Sequence, residues 1–169
     1  SDTAEVARIS TGWSVTRVPN TMIQSVPDVV NNPVITDFYS LTQTAIIELG
    51  DEWKYFKGFE EPSPDPTGAV TTQWTEPGFD DSTWLVGPTG IGMGDGDDAT
   101  VLDDMDNNYT CFYARKVFNI ADPAMPEYLE LAVDFDDGFI CYLNGVEIQR
   151  SANMNQAGSP APFTASASG

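Results

Sequence analysis

YLELAVDFDDGFICYLNGVEIQ, running from Tyr128 to Gln149, is the stretch that decides the fold class of this chain. Leu129, Leu131, Val133 and Phe135 alternate with polar or small neighbours, the period-two pattern of a half-buried strand. Asp136-Asp137-Gly138 then turns the chain, with the glycine available for a positive φ. Beyond the turn, Phe139, Cys141 and Leu143 are expected on one face, and Ile140 and Tyr142 on the other. Asn144-Gly145 is the strongest short-range hairpin signal, and Val146–Ile148 reads as the returning strand. The strand pair 128–135 and 139–149 is the clearest local unit.

The rest of the chain follows the same texture. Apolar spacing at i, i+3, i+4, i+7 is not sustained over three helical turns anywhere, whereas short β-branched and aromatic runs between turn clusters recur. Strands are expected near 6–9, 13–18, 34–38, 45–49, 53–56 and 111–120. Loops are expected at Glu60–Gly68, whose prolines cannot sustain a ladder, at Thr75–Ser82 and at Val86–Asp98. Residues 1–44 carry no motif and read as an N-terminal arm or added hairpin on a main domain spanning 45–169.

Charge narrows the function. Twenty-six carboxylates against seven Lys and Arg give a net charge of −19. No basic stripe exists to neutralise phosphates, so nucleic acid is not an expected partner, and an anionic membrane surface is disfavoured by the same repulsion. No apolar run approaches the ~20 residues that span a bilayer, so membrane insertion is not expected. Histidine is absent and there are two cysteines. That removes the commonest general base, any Ser-His-Asp arrangement and the usual zinc, copper and iron centres. Cys111 and Cys141, on separate expected strands, are either a disulfide or buried thiols.

From Ala45 the order is AIIELGDEWKYFKG, FDDSTW, GIGMGDGDDAT, FYARKVF and DDGFICYLNGVEIQRSANM. This succession resembles the galactose-binding-like jelly-roll domains of large secreted bacterial proteins, over about residues 45–165. The DDG and YLNG elements are also similar to the equivalent hairpin of PA14-type domains, which include sugar-binding adhesins. The resemblance implies an all-β jelly-roll β-sandwich in a secreted or cell-surface protein. Such domains usually continue past the equivalent of Phe163 through two closing strands. An open sheet edge is therefore expected, unless the N-terminal arm fills it, the chain is a fragment, or a neighbouring subunit donates a strand.

Candidate sites follow from side-chain chemistry. Trp53 and Trp84 fall within the family-like motifs and are expected in the core. Trp74, Tyr55 and Phe59 are the candidates for stacking on a pyranose ring, against ordinary packing as the alternative. Asp95, Asp97, Asp98, Asp103, Asp104 and Asp106, in a glycine-bearing run, could supply the six to eight oxygens of a structural calcium ion; a solvated acidic loop is the other reading. The PA14-like resemblance gives Asp136 and Asp137 a role as calcium ligands that hold sugar hydroxyls, through a cis peptide. A structural turn is the preferred reading of that pair, as it is for Asp80-Asp81. GIGMGDG lacks the helix and lysine of a nucleotide loop. Arg115, Lys116 and Arg150 are expected to pair with surplus acids or to line a polar cleft. Asn108-Tyr109-Thr110 is a formal glycosylation sequon.

The expectation is a non-catalytic module that recognises a polysaccharide or glycan. The alternative is a structural subunit of an extracellular fibre or lattice, self-assembling through strand exchange.

Overall fold

The structure, a computed structural model, describes residues 3–7, 13–19, 44–94, 96–121, 126–154 and 157–167. The described residues are all-β, with a 3-10 turn at Gln73–Thr75. The strands are β1 (Thr3–Ala7), β2 (Trp13–Pro19), β3 (Thr44–Ile47), β4 (Glu52–Lys57), β5 (Leu85–Pro88), β6 (Ile91–Gly92), β7 (Thr100–Val101), β8 (Phe112–Asn119), β9 (Pro126–Val133), β10 (Ile140–Leu143) and β11 (Val146–Arg150). A six-stranded antiparallel sheet runs β11-β10-β1-β8-β4-β5, and a three-stranded antiparallel sheet runs β3-β2-β9. β6 and β7 form a short parallel pair. No helix among the described residues is long and apolar enough to cross a membrane.

Period-two alternation gives the large sheet two buried faces. On β8 the even residues Phe112, Ala114 and Phe118 join Trp53 and Cys141 in a core shared with Ile47, Leu131 and Val133 of the small sheet. The odd residue Tyr113, with Cys111 just before the strand, joins Ile140 and Tyr142 on the opposite face, covered by Trp74, Trp84 and Ala161 from loops. β10 is apolar on both faces for this reason, as its sequence anticipates.

The N-terminal stretch enters both sheets. β1 lies between β10 and β8, with Ala7 opposite Tyr142 on one side and Arg115 on the other. β2 lies between β3 and β9, with Val15 opposite Ile47 and Leu131. The expected strand at 34–38 lies outside the described residues.

Two expectations are corrected. Asp136-Asp137-Gly138 joins β9 of the small sheet to β10 of the large one, so residues 128–135 and 139–149 are not a paired hairpin. Both sides of β10 are already occupied, by β1 and β11. The positive φ there belongs to Asp137 (61°), not to the glycine. Gly138 is required by space: a Cβ would lie 2.9 Å from both Ser151 Oγ and Ala167 Cβ. Likewise Val86–Asp98 is not wholly loop, because Leu85–Pro88 pairs with β4 and Ile91–Gly92 pairs with β7. The Asn144-Gly145 hairpin forms as expected, with φ of 50° and 80° matching a two-residue turn of the primed type.

The chain around Phe163 crosses the loop-covered face without adding a strand. Thr110 Oγ1 donates to the carbonyls of Phe163 and Ala165, and Phe163 N donates to Glu61 Oε1 at 2.9 Å. On edge strand β11, Glu147 and Arg150 pair at 2.6 Å and hold the backbone of Gly158 and Ser159 alongside.

Candidate functional site

FDDSTW acts as a clamp between a loop and the large sheet. Asp80 Oδ1 accepts from Ser82 N at 3.1 Å, and Asp81 O accepts from Trp84 N at 3.1 Å, so the two aspartates build the turn. Asp81 then reaches down to the sheet, where Oδ2 accepts from Arg115 Nε at 2.9 Å and Oδ1 from Lys54 Nζ at 2.5 Å. Burial pushes the Asp81 carboxyl up, but the bonds from Lys54 and Arg115 outweigh it and hold it below its ordinary value.

Arg115 is 2% exposed, on the odd face of β8. Its guanidinium donates to the carbonyls of Trp74 and Glu76 as well as to Asp81. It lies 5.2 Å from the Phe79 ring centroid and 6.0 Å from that of Trp84. The sequence offers Arg115 either as a partner for surplus acids or as part of a polar cleft, and in the structure it pairs with Asp81. Its real position, under the loop that carries two tryptophans, is set by contacts 34 to 41 residues apart.

This clamp decides the fate of Trp74. The ring is 3% exposed and meets Tyr113 and Tyr142 edge-on, at 4.9 and 5.8 Å between centroids. It offers no face to a ligand, so its assignment as a stacking platform is corrected. Trp53 and Trp84 are buried, as expected.

Tyr55 and Phe59, in contrast, come together. With Lys57, Glu60, Thr83 and Trp84 they line a shallow groove of about 250 Å³ at the end of β4 and the start of β5. Phe59 is 53% exposed and is braced from behind by Tyr109, 4.5 Å away between ring centroids. The polar rim is ordered by charge. Lys57 Nζ makes two bonds of 2.7 Å to the Asp104 carboxylate, whose Oδ1 also accepts from Tyr109 Oη at 2.8 Å. The Lys57 bond, then that of Tyr109, hold the Asp104 carboxyl below its ordinary value. Burial and the same carboxylate push the Tyr109 hydroxyl up. Phe59 is thereby fixed on a buttress of Tyr109, Asp104 and Lys57.

Asp136 and Asp137 line a different, smaller cavity of about 100 Å³, with Met105, Cys111 and Met154 among its other walls. Asp136 Oδ1 accepts from Asp137 N at 2.7 Å, and Asp137 O accepts from Asn153 Nδ2 at 2.7 Å. The first bond lies within the turn, and the second ties the turn to the segment after β11. The cis peptide of the described residues is Thr89–Gly90, not Asp136–Asp137.

Of the acidic run, Asp95 lies outside the described residues. Asp97, Asp103 and Asp106 are exposed, Asp104 is held by Lys57, and Asp98 packs over Gly92, where a Cβ would lie 2.7 Å from its Oδ1. Among the described residues, no group of three or more His, Cys, Asp or Glu side chains could hold a metal ion. No protein-family model, curated protein or solved structure matches the chain.

Both cysteines are buried thiols that form no disulfide. β1 separates β8 from β10. Two inter-strand steps of about 4.8 Å put those strands beyond the ~7 Å Cα separation a disulfide tolerates. The two thiols also belong to opposite faces of the sheet.

Proposed function

We propose that this chain is a non-catalytic carbohydrate-recognition module of a secreted or cell-surface protein, built as a jelly-roll β-sandwich of galactose-binding-like type. The observation that carries the reading is the groove in which Tyr55, Phe59 and Trp84 line one concavity together with Lys57, Glu60 and Thr83. Sugar rings present C–H faces that stack on aromatic side chains and hydroxyls that need polar partners, and a few placed polar groups in an aromatic concavity meet both needs. The volume, about 250 Å³, suits a sugar unit better than a larger cofactor. One carboxylate, Glu60, lines the groove, whereas glycoside hydrolysis ordinarily uses two. The neighbouring edge strand β5 is four residues long and ends at Pro88, which disfavours capture of an extended peptide there.

In this proposal calcium has no part in the groove. Native electrophoresis through gels cast with soluble polysaccharides tests the reading. Retardation that persists in EDTA and is markedly reduced by Phe59→Ala is expected. Unretarded migration in every polysaccharide overturns it.

A second reading, a subunit of an extracellular assembly formed by strand exchange, is favoured by one observation. β1 is hydrogen-bonded on both sides inside the large sheet, so the same slot would accept the strand of another copy. Size-exclusion chromatography separates the two, since exchange gives dimers or longer chains and the carbohydrate module elutes as a monomer.

A further inference from the structure

The charges around the groove are unequal, and their balance deepens the carbohydrate reading on which this inference rests. Lys57 is the cation of the lining, and its ammonium is already bonded twice to Asp104. The pair cancels, so Lys57 offers no net positive charge to a ligand. Glu60 is exposed, and among the described residues it makes no ion pair. A single negative charge therefore faces the stacking position at Phe59. The whole chain adds a field of the same sign, at −19.

We infer that the groove selects uncharged sugar units and rejects those bearing uronate or sulfate. A neutral pyranose can stack on Phe59 and Tyr55 and donate its hydroxyls to Glu60, which as a carboxylate accepts only. A uronate in the same place sets two carboxylates within a few ångströms of each other, and among the described residues of the lining the cation, Lys57, is already paired with Asp104. Coulomb repulsion between two exposed charges at that range is about 1 kcal/mol or more, and salt screens it.

The test is calorimetric titration of the full chain with mannohexaose, cellohexaose, xylohexaose and hexagalacturonate at 20 and 500 mM NaCl. At least one neutral hexamer is expected to bind with an affinity that changes less than about twofold between the two salts, since it makes no ion pair. Hexagalacturonate is expected to bind at least about tenfold more weakly at 20 mM, with the gap narrowing at 500 mM. Two single-charge reversals then locate the effect. Glu60→Lys is expected to raise the ratio of acidic to neutral affinity about tenfold or more, and Asp103→Lys, an exposed change outside the lining, much less.

Hexagalacturonate binding as tightly as the best neutral hexamer at 20 mM overturns the inference and leaves the carbohydrate reading standing. Equal effects of the two reversals overturn it as well, because net charge rather than Glu60 then does the discriminating. Failure of all four hexamers to bind overturns both.

Discussion

Replacing Arg115 with methionine keeps the length and apolar stem of the side chain and removes the charge that ties the FDDSTW loop to the sheet. Three groups lose a donor at once: the Asp81 carboxylate and the carbonyls of Trp74 and Glu76. Lys54 remains on Asp81 at 2.5 Å, so the carboxylate is not stranded completely. Breaking a buried ion pair by removing one partner costs about 3–5 kcal/mol. Each buried carbonyl left without a donor costs about 1–3 kcal/mol more, though water entering a loosened loop recovers part of it. The losses share one network and do not add, so about 3–5 kcal/mol is the expected total. For a chain of this size that is a fall in Tm of roughly 6–20 °C. Urea titration followed by tryptophan fluorescence measures it, because Trp74 and Trp84 lie within the clamp. The midpoint should fall with an unchanged slope. A loss below about 1 kcal/mol, the range of an exposed ion pair, would refute the claim that Arg115 anchors the loop.

Trp74→Ala is expected to cost about 3–5 kcal/mol in stability, whereas Phe59→Ala should cost about 1 kcal/mol or less and weaken glycan binding roughly tenfold; thermal melts and titrations on the two variants separate core from site. Both cysteines are expected to stay unreactive to a chromogenic disulfide reagent in the native chain and to yield two thiols after denaturation without reductant; fewer than two would reveal a bridge. Because the folded Asp81 carboxyl lies below its ordinary 3.8, its stabilising contribution is complete above that pH and is lost as pH falls through the lower folded value. The difference in stability between wild type and Asp81→Asn should therefore be constant near neutrality and shrink only in acid; a difference that grows as pH falls contradicts the pairing. Gly145→Ala places a Cβ 2.6 Å from the Glu76 carboxylate at a φ of 80°, and should destabilise by about 1 kcal/mol or more in a chevron or urea melt.

What was legible in the sequence was local. Asn144-Gly145 announces its hairpin because few residue types tolerate two successive positive φ values. Alternation on β8 and β10 likewise announces two buried faces. Asp136-Asp137-Gly138 was misread because a tight hairpin and a corner between sheets use the same turn residues. Only the partners of β10, one of them the remote β1, decide between them. β5 escaped notice for a related reason: Leu85–Pro88 becomes a strand by pairing with β4, and Gly87 is there because Thr100 leaves no room for a Cβ. The same limit applied to the site. Tyr55 and Phe59 lie four residues apart and line one groove, whereas Trp74 reads as a loop tryptophan and is held against the sheet through its carbonyl by Arg115. The signal for Arg115 was present, as an arginine at an odd, inward position on a strand whose odd neighbour is Tyr113.

The central claim is that the concavity between β4 and β5 is where a sugar binds. Aromatic and amide NMR shifts, followed while the isotopically labelled chain is titrated with the tightest-binding neutral hexasaccharide, test it most directly. The account predicts that the largest changes fall on the Phe59 and Tyr55 ring protons, with smaller ones at Thr83 and the Trp84 edge, and none at Trp74. Shifts centred instead on Asp136–Gly138 and Met154, or no shifts with any neutral sugar, would contradict it.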